Sequence, residues 1–270
     1  MVAVCVAHDA TWSRVCAAAK ANARAYVAAH GYGLRFFESS AGVEPQRKPH
    51  WAKLPAIASA LRRPGVEAVL WKDSDSLFMD LEAGLGGLVP HAPHLATMTG
   101  DANCWLNDGH FLLAAGSWSE ALLARTYALY PSPWPFEDQS AMVHLLTGER
   151  DECRANVMPC CAWAKFAAAA EAVGALARGV QLRPQRELNS YLPQTPNMSG
   201  PAFNASVDGL YRPGDLVLHF AGLRGDEMAT LMEQYAEAAP RGVGAVAALH
   251  ASVMRLVEPE VVAWASRRAP

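Results

Sequence analysis

The chain has 270 residues, about half of them hydrophobic and 18% charged, with a formal net charge of -3. That composition is enough for a sizeable core, too apolar for long disorder, and lacks the basic surplus of a nucleic-acid protein. The six cysteines form no CxxC pair, which disfavours a zinc site, and no run of about 18 apolar residues predicts a membrane span.

Val2 to Ala7 reads as a buried first strand, too short and without the basic flank of a signal peptide. A helix is predicted over Trp12 to His30, stopped by Gly31-Tyr32-Gly33, and Leu34 to Phe37 reads as a second strand. This β-α-β opening points to a sheet with parallel strands. A helix from about Trp51 to Leu61 ends before Pro64-Gly65, and the apolar strand Val66 to Trp71 runs into Asp73-Ser74-Asp75. Further along, Gly109 to Ala114 reads as a strand and Trp118 to Tyr130 as a helix. The proline-rich segment 131–135 reads as a loop, and Asp138 to Leu146 as another helix. An alanine-rich helical stretch is expected over Ala162 to Ala177, a late strand over Leu216 to Phe220, and two helices close the chain. No internal repeat or linker stands out, so a single domain over 1–270 is expected, with a C-terminal helical extension from about 226.

Asp73 and Asp75 end an apolar strand, at the carboxyl edge where open α/β folds bind ligands. In extended backbone, positions i and i+2 face one side, so both carboxylates can address one cation. Mn²⁺ or Mg²⁺ suits such oxygen ligands, whereas a solvated turn is the bland alternative for an isolated Asp-x-Asp. His219, near the end of the late strand, can complete a metal site or be an ordinary core histidine. Arg224 can grip phosphate oxygens with its planar fork or be an exposed loop arginine. Glu137-Asp138-Gln139 places a carboxylate pair and an amide at a helix start, with Asp138 also suited to capping. Leu106 to Phe111 reads as a polar turn entering a strand, whose Gly109 permits close backbone approach to a sugar or simply makes a tight turn.

Taken in order, these pieces resemble glycosyltransferase family 34. The matching stretches are His50 to Pro55, Val69 to Met79, Leu106 to Leu113 with Trp118-Ser119, Asp138 to Ala141, Pro184 to Arg186 with Asn189 to Tyr191, and Gly214 to Gly222. The resemblance implies a GT-A α/β fold, with a mixed, mostly parallel sheet flanked by helices. It implies Mn²⁺ or Mg²⁺, a nucleoside diphosphate sugar donor (UDP-sugar favoured), a glycan acceptor and retention of anomeric configuration. By the same analogy Asp73, Asp75 and His219 are metal ligands, and Lys53, Ser74, Asn107, Gly109, Gly222 and Arg224 join them around the donor. Arg224 stands where the plant enzymes carry a lysine on the diphosphate. Asp138, Gln139 and Arg224 are the expected catalytic residues, and the family expectation for location is the Golgi lumen. The sequence departs from the plant pattern at Glu137, where an aspartate is usual, and at Leu223, where a cysteine is usual.

Two rival readings fit parts of this pattern. A haloacid-dehalogenase-type phosphatase also uses Asp-x-Asp, but on its first strand and with Thr or Val where this chain has Leu77. A degenerate transferase that binds sugar nucleotides without turnover is the other.

Overall fold

The structure, a computed structural model, describes residues 1–39, 46–100, 106–133, 136–146, 179–192 and 209–266, with side chains to residue 255. The alanine-rich stretch from Ala162 to Ala177 and four of the six cysteines (Cys104, Cys153, Cys160 and Cys161) lie outside the described residues.

The chain opens as β1 (Val2–Val4), α1 (Ala10–His30) and β2 (Arg35–Phe37), with β1 and β2 parallel. Asp9 starts α1: its carboxylate accepts the Trp12 N–H at 2.7 Å, and Gly31, at φ +68°, ends the helix left-handed. A disulfide joins Cys5, just beyond β1, to Cys16 on α1. A 3-10 turn over Pro49–Ala52 leads into α2 (Lys53–Leu61), and β3 (Ala68–Lys72) delivers the chain to the acidic pair.

The strands β4 (Ser76–Phe78), β5 (Ala96–Thr99), β6 (Asn107–Ala114), β7 (Val180–Arg183), β8 (Ser190–Tyr191) and β9 (Val217–His219) complete two sheets. The larger has order β2-β1-β3-β6-β5-β7, in which only β6 runs against the rest. The smaller has order β4-β9-β8. The expected mixed, mostly parallel sheet is therefore present. Four of these strands (β4, β5, β7 and β8) carry no clear periodicity of their own, being two to four residues long. The expected first strand is also shorter, ending at Val4 rather than Ala7.

Helices α3 (Ser117–Ala128) and α4 (Glu137–Leu146) cover one side together with α2, burying Ile57, Leu122 and Met142 in one apolar cluster with Trp51 and Phe111. On the other side α5 (Gly225–Ala238) packs on α1, sharing Val15, Ala19, Leu218, Phe220, Met228 and Met232. The last helix, α6 (Val243–Ser266), joins this cluster through Val246 and Val253.

Candidate active site and metal centre

One turn and one strand end bring the central cluster together. Ser76 pairs with His219 across the antiparallel β4–β9 ladder, and the Phe220 N–H donates to the Asp75 carbonyl at 2.8 Å. That register sets an imidazole beside a carboxylate 144 residues earlier, with His219 Nε2 3.1 Å from Asp75 Oδ1. Ligand atoms of Asp73, Asp75 and His219 all lie within 4.8 Å of one another, close enough for one cation. The acidic pair does not sit in extended backbone as the sequence reading assumed. Residues 73–75 form a turn, held by the Ser76 hydroxyl donating to the Asp73 carbonyl at 2.7 Å and by Lys72 Nζ bonded to the carbonyls of Asp73 and Ser76. Convergence comes from this turn rather than from strand alternation.

The two carboxylates differ. Burial raises the Asp73 pKa, helped by Asp75, although Lys53 opposes it. Burial acts the same way on Asp75, but the His219 imidazole outweighs it and the pKa falls. Asp73 Oδ1 also accepts the Trp71 indole N–H at 2.7 Å.

Gly109 lies against this cluster. A Cβ there would stand 2.7 Å from Asn107 Oδ1, 2.7 Å from His219 Cε1 and 3.1 Å from Asp73 Oδ2. The glycine is thus needed for β6 to approach the side chains of His219 and Asp73, where the sequence suggested approach to a sugar or a plain tight turn. The expected polar turn at Asn107-Asp108 is likewise the start of β6, and Asn107 points inward as scaffolding. Its Oδ1 accepts the Gly109 N–H and its Nδ2 donates to the Tyr191 hydroxyl at 2.8 Å.

A second charged cluster adjoins the first. Lys53 is buried at the start of α2, with Nζ 2.8 Å from Asp108 Oδ1, 3.0 Å from Asp138 Oδ2 and 3.8 Å from Asp73 Oδ1. Burial works against its charge, yet Asp108, Asp138 and Asp73 together raise its pKa. Asp138, the second residue of α4, has its pKa pushed well above the ordinary range by burial and then by Asp108. Gln139 Oε1 accepts the Asp108 N–H at 3.2 Å. Glu137 belongs elsewhere, paired with Lys48 and accepting the Trp51 indole N–H at 3.2 Å.

A cavity of about 340 Å³ opens over Asp73, Ser74 and Asp75, with Lys53, His8 and Trp12 among its walls. The model of the galactosyl transferase GMA12/MNN10 family matches residues 5–98, which carry Lys53, Asp73 and Asp75. Xyloglucan 6-xylosyltransferase 1 of Arabidopsis thaliana is 31% identical over 150 residues, covering 45% of this chain and 32% of that protein. Xyloglucan 6-xylosyltransferase 2 of the same plant is 32% identical over 149 residues, covering 44% and 32%. The resemblance to glycosyltransferase family 34 is borne out. The matched stretch is about a third of those relatives' own length. In fold, a solved glycosyltransferase involved in the glycosylation of the major capsid of PBCV-1 superposes with a TM-score of 0.52 over 86% of this chain and 98% of that one, at 16% identity.

The family-34 reading anticipated Asp73, Asp75 and His219 as one group, and the structure brings them together. Ser74 lines the cavity beside them. Gly222 and Arg224 are exposed beyond β9, and Arg224 makes no ion pair among the described residues. Sequence reasoning gave no role to His8, Trp12, Lys72, Asp108, His110 or Asn189. For His8 and Trp12 the signal was available, since they follow the first strand at the ligand-binding edge of the sheet. Lys72 is completely buried beside the acidic pair, and burial lowers its pKa to about 7 against the pull of Asp75 and Asp73. Burial and the nearby His219 and Lys72 hold the His110 pKa well below its usual value.

Proposed function

We propose that this chain is a metal-dependent glycosyltransferase of the family-34 type, moving a hexose or pentose from a nucleoside diphosphate sugar to a glycan acceptor. The observation that carries this reading is the convergence of Asp73, Asp75 and His219 within 4.8 Å, with both aspartates lining the 340 Å³ cavity. Two hard carboxylates and one imidazole form a donor set suited to Mn²⁺ or Mg²⁺. Such an ion supplies Lewis-acid charge against the diphosphate. Around it, Ser74 and the walls at His8 and Trp12 receive the nucleotide, UDP being favoured by the family resemblance. Arg224, at the start of α5, adds positive charge on the leaving side, and the family resemblance assigns Gln139 and Asp138 to the side of the transferred sugar.

In this reaction the acceptor oxygen bonds to the anomeric carbon on the face that the diphosphate leaves. The carbon–oxygen bond to phosphate breaks, and the acceptor proton passes to the departing phosphate oxygen, so configuration is retained. Golgi-lumenal work is supported by the family resemblance and by the Cys5–Cys16 disulfide, which suits an oxidising compartment. Among the described residues no helix is long and apolar enough to cross a membrane. A single domain over 1–270 remains our reading of the organisation, α5 and α6 sharing a core cluster with α1 and β9.

One observation favours a second reading, a sugar-nucleotide binder without turnover: Asp138 is buried and tied to Lys53. A thermal-shift panel of UDP, GDP and their sugars, with and without Mn²⁺, tests the donor. Transfer of radiolabelled sugar then separates the two readings. Metal-dependent nucleotide stabilisation with neither transfer nor donor hydrolysis across a broad acceptor set would favour the binder.

A further inference from the structure

Behind the acid–imidazole cluster lies a hydrogen-bond circuit whose donors and acceptors can be counted. Asn189 is completely buried. Its Oδ1 stands 2.7 Å from His219 Nδ1 and 3.2 Å from His110 Nδ1, and its Nδ2 is 3.1 Å from the Tyr191 hydroxyl. His110 Nε2 lies 2.7 Å from Ser76 Oγ, which is itself 2.7 Å from the Asp73 carbonyl oxygen.

With the amide oxygen toward the rings, both neutral imidazoles must carry their proton on Nδ1, because two acceptors do not pair. The Ser76 hydroxyl then donates to His110 Nε2, and the Asp73 carbonyl keeps its bond from Lys72 Nζ at 3.2 Å. His219 Nε2 becomes a lone pair facing Asp75 Oδ1 at 3.1 Å, an acceptor–acceptor contact that a shared cation relieves.

A half-turn of the amide reverses every assignment. Its NH₂ group donates to both Nδ1 atoms, and Tyr191 donates to its oxygen. Both rings carry the proton on Nε2. His219 then donates to Asp75, His110 donates to Ser76, and Ser76 donates to the Asp73 carbonyl. The two circuits hold the same number of protons and differ at His219 Nε2, which faces Asp75 as an unmatched lone pair in the first and donates to it in the second.

We propose that Asn189 is a positioning residue whose carboxamide selects the tautomer of His219, oxygen toward the ring when a divalent cation is held and nitrogen toward it when none is. The inference rests on the cation reading above. Metal-binding histidines characteristically donate their other ring N–H to a fixed acceptor, and Asn189 is that acceptor here. The same side chain also offers His219 an alternative partner arrangement in which Asp75 competes with the cation.

The test pairs Mn²⁺ calorimetry with ¹⁵N spectra of the His219 ring, using diamagnetic Mg²⁺ for the spectra. Mg²⁺ is expected to move the His219 proton from Nε2 to Nδ1. Asn189→Leu should lower Mn²⁺ affinity about 10- to 100-fold. Asn189→Asp, whose oxygens only accept, should retain affinity and show the Nδ1–H form before Mg²⁺ is added. Equal Mn²⁺ affinity in the wild type and Asn189→Leu, or a His219 tautomer indifferent to Mg²⁺, overturns the proposal. If the wild type itself binds no Mn²⁺, the cation reading falls and takes this inference with it. Should the leucine variant fail to fold, the aspartate variant and the wild-type spectra decide the matter.

Discussion

The two charged clusters of this molecule touch at Asp73 but are built on opposite plans. Around Lys53, the carboxylates of Asp108 and Asp138 have their positive partner within the chain, and all three side chains are at most 6% exposed. Around His219, Asp73 and Asp75 remain 30% and 23% exposed, face a cavity, and among the described residues have no comparably close lysine or arginine: the nearest such ion-pair partner of Asp73 there is Lys53 at 3.8 Å. A closed cluster that holds its positive partner within the chain favours structure, whereas an open one short of positive charge is suited to a cation. Reactive chemistry is expected where compensation is incomplete.

The largest effect should come from the closed cluster. Lys53→Met removes the buried cation that Asp108 and Asp138 share, leaving both carboxyl groups buried without that partner, and should cost about 3–5 kcal/mol in urea unfolding. A variant as stable as wild type would erase the distinction between the clusters. Asp75→Ala should do the reverse, lowering sugar transfer about 100-fold or more while leaving the unfolding midpoint close to wild type. Near-normal transfer of radiolabelled sugar by that variant would remove Asp75 from the metal site.

Gly109→Ala probes the boundary between the clusters. The added methyl would meet Asn107 and His219 at 2.7 Å, so about 1–3 kcal/mol of stability should be lost, together with weaker Mn²⁺ binding. Calorimetric titration and unfolding of one preparation would read both. The smallest effect concerns pH. Asp138 has a raised folded pKa, so the native state keeps a proton that the unfolded chain releases near 3.8, and stability falls as pH rises from there toward the folded value. Asp138→Asn should remove that decline, its stability relative to wild type growing between pH 4 and pH 7. A constant difference across that range would place the Asp138 proton elsewhere.

Much of this was legible along the chain. The β1-α1-β2 opening, the strand entering Asp73 and the strand ending at His219 all carry apolar runs bounded by polar or glycine signals, and the observed elements fall there. The short strands β4 and β8 were not, because two or three residues hold no period, and their pairing with β9 is a long-range fact. Asn107 shows the same limit within the site. Its sequence context says polar turn, but β6 extends to include it and turns its amide toward Tyr191.

The sequence by itself determined the order of the family-34 motifs, the type of fold and the identity of the three candidate ligand residues. Those depend on local pattern and on residue chemistry, which a linear string contains. Only the tertiary structure decided that Lys53 lies between Asp108 and Asp138, that Gly109 makes room for His219, and that Asn189 stands behind the imidazole. Each of those depends on a distance between residues far apart in the chain, set by strand register and by how tightly neighbouring side chains can pack, neither of which any single stretch of sequence specifies.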